Sequence, residues 1–331
     1  MTKECNLDIG KAKKKREIPS PRQMIFCFMS LFSLALILRN SDVAIEYMSR
    51  GLRLCATTVV PSLFPFMVLS DLIVSSSAAT ALGRALRTPM RFLFGVSGEG
   101  GCAVILGALC GFPIGAKTAV AVYDAGRISK RELERLLTFS NNPSSAFIIS
   151  AVGVSLFGSR ELGYKLYAAT LISAAIVGIA QNLFSRKKSG INNTNFPTLT
   201  ASLQTAGLSV GDFTRAITSS AMGVIKICAF VVFFTAFLGT LGSALSAASL
   251  PPALRALIFG LFELTGGVAE AAALPCEIGA VIAAFISGWS GFSVHFQIMS
   301  ICADRGISFK PYFLAKFAQG IVAAVLVFLF L

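Results

Sequence analysis

Charge is scarce in this sequence, and what there is leans one way. Lys and Arg number 29 against 16 Asp and Glu, and charged residues make up 14% of the chain, where soluble domains carry about 25%. With 55% hydrophobic residues, that excludes an ordinary soluble domain and implies a polytopic membrane protein. The net charge of +13 does not point to nucleic acid. The basic residues sit in short clusters between apolar runs, as in cytoplasmic loops. Histidine and tryptophan occur once each, as His295 and Trp289. The cysteines (Cys5, Cys27, Cys55, Cys102, Cys110, Cys228, Cys276 and Cys302) are scattered. No CxxC pair or Cys/His cluster exists, so neither a metal site nor a disulfide framework is supported. There is no nucleophile–base pair, phosphate loop or nucleotide motif, so no enzymatic activity and no cofactor are expected.

What is present is a series of apolar runs with polar interruptions. Residues 1–22 form a basic tail, with Lys11, Lys13, Lys14, Lys15 and Arg16, expected in the cytoplasm. The run 23–38 has no small-residue cleavage site after it, so it reads as an uncleaved extra N-terminal transmembrane helix. Residues 50–185 form a first unit. A span at 52–77 is followed by the run 101–126, which breaks at Gly111, Pro113 and Gly115. Each arm is too short to span a bilayer, and basic residues flank both ends. A re-entrant hairpin satisfies both facts, and a single kinked span is the alternative. Residues 133–157 then form an apolar segment interrupted by Asn141-Asn142-Pro143-Ser144-Ser145, and 166–184 return to the basic cluster Arg186-Lys187-Lys188.

Residues 186–212 read as a cytoplasmic linker, and residues 213–331 as a second unit. It has a span at 217–241, a hairpin around Glu263-Leu264-Thr265-Gly266, a segment at 278–301 interrupted from Ser287 to Ser293, and a last span at 311–331. The order and break positions match between the units, although residue identity is thin. Each unit has an odd number of full crossings, so the second must be inverted relative to the first. The expected fold is therefore an all-α polytopic membrane protein of two inverted repeats, with two re-entrant hairpins and two broken transmembrane helices. In that architecture the paired interruptions place a binding site at the midplane.

Pro143 removes a backbone donor, and the carbonyls it frees need partners that lipid cannot supply. Two readings stand: a binding site, or a kink bonded to neighbouring helices. Half-helix N-termini offer N–H groups and a positive dipole end to an anion or a polar heterocycle. Asn141, Asn142, Ser144 and Ser145 from one half, and Ser287, Ser290 and Ser293 from the other, supply neutral hydrogen-bonding groups. Gly111 and Gly115, around Pro113, let a solute approach the backbone. Lys117 either attracts a carboxylate or snorkels, and Lys226, inside the span at 217–241, has the same two readings. Glu263 and Glu270, beside Thr265 and Gly266, carry a cation or proton or pair with Lys117 or Lys226. His295 is a proton relay or a satisfied helix contact.

Gly111-Phe112-Pro113-Ile114-Gly115-Ala116-Lys117, Ser140-Asn141-Asn142-Pro143-Ser144 and Glu263-Leu264-Thr265-Gly266-Gly267, in that order, resemble the signature stretches of the YlbJ/SpoVV sporulation integral membrane proteins. The resemblance covers about residues 25–331. It implies a nucleoside-recognition (gate) domain similar in plan to concentrative nucleoside transporters. It also implies export of dipicolinic acid from the mother cell across the outer forespore membrane. Its partners would then be a small anionic substrate and the lipid bilayer, together with a second copy of the chain or other sporulation membrane proteins. The basic extension Lys11–Arg16 has no place in the family pattern. Two competing readings are a nucleoside or other metabolite carrier of the same fold and a non-transporting scaffold for spore-envelope assembly.

Overall fold

The computed structural model describes residues 21–189, 209–246 and 250–331, so most of the basic tail and most of the linker lie outside the described residues. Among the described residues every regular element is a helix, and there is no strand. Helix α1 (Pro21–Arg39) meets α2 (Ser41–Leu54) at an angle of 101°. From α2 the helix continues through a π turn at Cys55–Val59 into α3 (Val60–Ser75). Proline explains the wide turn: Pro61 lacks the N–H that an α-helical ladder needs there, and the helix re-spaces its bonds around the gap. The span expected at 52–77 is thus the second half of a longer helix. Short helical pieces, including α4 (Ser77–Ala85), lead to the first hairpin.

The hairpin consists of α5 (Gly101–Cys110) and α6 (Ile114–Asp124). Gly111 makes the turn at φ 83°, a conformation that only glycine adopts freely. The arms touch backbone to backbone, since a Cβ on either Gly107 or Gly115 would lie 3.0 Å from the other's Cα.

Next comes α7 (Lys130–Leu137), opened by a capping box in which the Ser129 hydroxyl accepts from the Glu132 N–H. Leu133, Leu136 and Leu137 are buried on one face, and Lys130 and Arg131 are exposed on the other. The break expected within 133–157 is a long one. Thr138 to Ser144 are non-helical, and an eleven-residue π helix, Ala146–Leu156, follows. At 1.5 Å per residue neither arm crosses a bilayer.

Four helical stretches are long and apolar enough to cross: Arg160–Ser185 within α8 (Arg160–Ser189), Val210–Ser243 within α9 (Val210–Ser246), Cys276–Ile301, and Lys310–Phe330. Counting each of two bent helix pairs as a span raises the total to six. Between the second and third lies another hairpin, α10 (Pro252–Phe262) and α11 (Leu264–Ala272), closed where Gly260 and Gly267 meet at the backbone. The stretch Cys276–Ile301 comprises α12 (Cys276–Trp289) and α13 (Gly291–Ile301). Its interruption is a single residue, Ser290 at φ 79°, whose N–H still bonds Ile286 O at 2.7 Å. The second broken helix is therefore far less broken than the first. The last span is α14 (Lys310–Phe330). Two buried apolar clusters meet at Phe112, one around α6 and α7 and the other around α11, α12 and the π helix after the break.

Candidate functional site

The non-helical segment after α7 is wrapped in protein. Ser140, Asn141 and Ser287 have no exposed surface, and Asn142 has 3%. The Ser140 carbonyl lies against both Gly107 and Gly115, and Ser144 lies against Gly111. The close approach expected of a solute at those glycines is made here by the chain's own broken segment. Pro113 is buried at the tip and its carbonyl accepts from Lys117 N–H at 2.9 Å. The Ser144 hydroxyl accepts from Phe147 N–H at 3.2 Å, and Ser145 opens the π helix beside Tyr167, whose phenol donates to Ala108 O at 2.7 Å.

The amides of the break reach α14. Gln319 Nε2 donates to Asn142 Oδ1 at 2.7 Å and to Thr170 O at 3.2 Å, and Asn142 Nδ2 donates to Phe139 O at 2.8 Å. Lys316 Nζ donates to the Asn141 carbonyl at 2.9 Å and to Gln319 Oε1 at 2.7 Å. The Asn141 side chain is different: both polar atoms are buried without a partner, as is Ser140 Oγ. Neither Lys316 nor Gln319 stands out when the last span is read for length alone. The signal in the sequence is Lys316, an ionisable residue inside an apolar run, which by default suggests function.

On the second hairpin, Glu263 is an N-cap. Its carboxylate accepts from Thr265 N–H at 2.9 Å and Gly266 N–H at 2.6 Å. The helix start expected to receive a substrate anion already holds the chain's own. Glu270 pairs with Arg255 at 2.9 Å, not with Lys117 or Lys226. The Ser287 hydroxyl donates to Ala283 O at 2.7 Å and Ser290 Oγ to Ser287 O at 3.4 Å, so both are satisfied within their own helix. Gly291 packs on Glu263 and Leu264, and Gly288 on Gly320. Each tip thus seats against its own interruption, and both interruptions meet α14. His295 Nδ1 shares a 2.8 Å hydrogen bond with the Tyr312 hydroxyl inside a box of Trp289, Phe292 and Phe313. Its Nε2 is buried without a partner.

The open space lies elsewhere. A cleft of about 580 Å3 runs between α3, α6, α9 and α13, and of the candidate residues read from the sequence it takes in Lys117 and Lys226. One face of α9 lines it at three- and four-residue spacing: Arg215, Ser219, Met222, Lys226 and Phe230. Five cationic side chains face three carboxylates. Lys117 pairs with Asp71 at 2.7 Å and donates to Ser220 at 2.9 Å. Arg305 pairs with Asp124 at 2.6 Å, which raises the guanidinium above its ordinary value and keeps it charged. Arg215 pairs with Asp212 at 3.2 Å. With every carboxylate taken, Arg127 and Lys226 are left over. Arg127 lies in the field of Glu99, outside the cleft, yet its Nη1 is buried with no hydrogen-bond partner. Lys226 has no partner among the described residues.

Comparison with known proteins gives one match that decides the family. The chain is 32% identical to the sporulation integral membrane protein YlbJ of Bacillus subtilis (strain 168), over 90% of this chain and 80% of that protein. The chain belongs to the YlbJ family. This YlbJ homologue is a multi-pass membrane protein of sporulation. No protein-family model matches it, and no solved structure does.

Proposed function

We propose that this protein carries a small organic anion across the membrane, with dipicolinate as the substrate and the cleft as the place where the anion is first held. The observation that carries this reading is Lys226. It stands in an apolar spanning helix, lines a cleft, and has no counter-charge once the three cleft carboxylates are paired. Ionisable residues within spans face water-filled cavities and mark the paths of ions and substrates. The cleft volume of about 580 Å3 falls in the range of about 300–1,000 Å3 typical of small-molecule sites. Dipicolinate is a flat pyridine with two carboxylates, one of which Lys226 matches for charge, and Phe230 offers it a ring face.

The wider architecture belongs to the same proposal. Residues 50–185 and 213–331 act as inverted repeats, each a hairpin seated on an interruption, and the interruptions with Asn141, Asn142 and Ser290 form the gate between cleft and far side. The membrane is then the outer forespore membrane, with the N-terminus in the cytoplasm, and no catalytic step is involved.

The test is complementation of a Bacillus subtilis strain lacking YlbJ, read as spore dipicolinate content. The chain should restore loading, and Lys226→Ala should lower dipicolinate uptake into proteoliposomes by roughly tenfold or more, the worth of one charge-assisted hydrogen bond. Absence of uptake by the unaltered protein would remove the transport reading in favour of a scaffold.

A further inference from the structure

Lys316 is a lysine with no exposed surface within the last span, about two turns from its start. Its two partners are oxygens, the Asn141 carbonyl and Gln319 Oε1, and no carboxylate is among them. Gln319 is held so that its oxygen faces the ammonium, because its Nε2 is committed to Asn142 Oδ1 and Thr170 O. Main-chain carbonyls freed by a broken helix bind sodium in carriers with discontinuous helices, and here one such carbonyl is joined by a side-chain carbonyl. Two more oxygens on the same segment, Asn141 Oδ1 and Ser140 Oγ, are buried with no partner, so the surroundings hold more oxygen than Lys316 uses. We propose that the broken segment is a cation seat and that Lys316 fills it permanently, a tethered cation in the place of a coupling sodium ion.

Two consequences follow. The native protein should have no specific response to sodium. A variant with the tether shortened should acquire one, because the oxygens remain and the charge is gone. The first consequence concerns the purified protein alone; sodium-independent transport follows from it only if the transport reading above also holds.

The experiment is thermal unfolding of the full-length protein in detergent, titrated with sodium chloride against choline chloride at constant ionic strength. The unaltered protein should give the same midpoint in both salts. Lys316→Ser should melt lower in choline and recover by roughly 2–4 °C or more in sodium, through preferential binding to the folded state. A sodium-specific rise in the unaltered protein overturns the proposal, as does a folded Lys316→Ser that responds alike to both salts. If Lys316→Ser does not fold, the titration of the unaltered protein still decides. Proteoliposome uptake separates the two readings. Uptake that persists with choline in place of sodium supports both, and uptake that needs sodium overturns the tethered cation alone. Absence of uptake in either salt removes transport and leaves the melting result to stand by itself.

Discussion

Asn141 and Asn142 are neighbours in the chain with opposite circumstances. Asn142 is bonded at both ends of its amide, while the Asn141 amide is buried with no partner. Truncating a satisfied buried amide strands its partners at about 1–3 kcal/mol, whereas removing an orphan strands nothing. Asn142→Ala should therefore lower stability by about that amount, and Asn141→Ala should change it by less than about 1 kcal/mol. Thermal melts of the two variants check this; equal losses would show that the Asn141 amide has a partner in the folded protein. The Lys117–Asp71 pair makes a second case. Both side chains are largely buried, so Asp71→Asn should cost up to about 3 kcal/mol, the low end for a buried pair, and Lys117→Met on top of it should recover part of that. A double-mutant cycle measures the recovery. Lys117 was legible in the sequence through its place after the hairpin turn. Asp71 was not, because only the fold brings α3 to α6.

At the scale of elements, glycine and proline marked the first hairpin tip, where the helix stops at Gly111, while the second helix stops at Glu263, the centre of the polar interruption read there. The size of the first break was hidden by averaging. Over residues 133–157 the apolar content dominates, yet Ser129 and Glu132 spell out a helix start and the leucines of α7 fall on one face. The role of Glu263 was also masked, because a carboxylate near a helix start reads equally as a coupling group and as a cap. The cap has a direct test. Glu263→Ala should destabilise by about 0.5–2 kcal/mol, and Glu263→Asp, which keeps an acceptor at the N-cap, should restore most of it. Melting midpoints decide, and a neutral Glu263→Ala would mean the hairpin tip does not depend on its cap.

Across the whole molecule the question is where water reaches. Lys226 lines the cleft, while Phe328 on α14 is 70% exposed on an apolar face. With the exposed Cys27 and Cys276 replaced, Lys226→Cys should react with a charged, membrane-impermeant thiol reagent far faster than Phe328→Cys does. Equal rates would mean the cleft is not wet. The sequence could place Lys226 inside a span but not in a cleft, because the cleft is made by four helices distant in the chain.

One helix connects the two interruptions. α14 reaches the first through Lys316 and Gln319, and Gly320 on the same turn lies backbone-on-backbone against Gly288, just ahead of Ser290. Packed interiors jump between discrete arrangements and do not stretch. A slide or roll of α14 would therefore be felt at both ends in the same instant, as a camshaft times two valves.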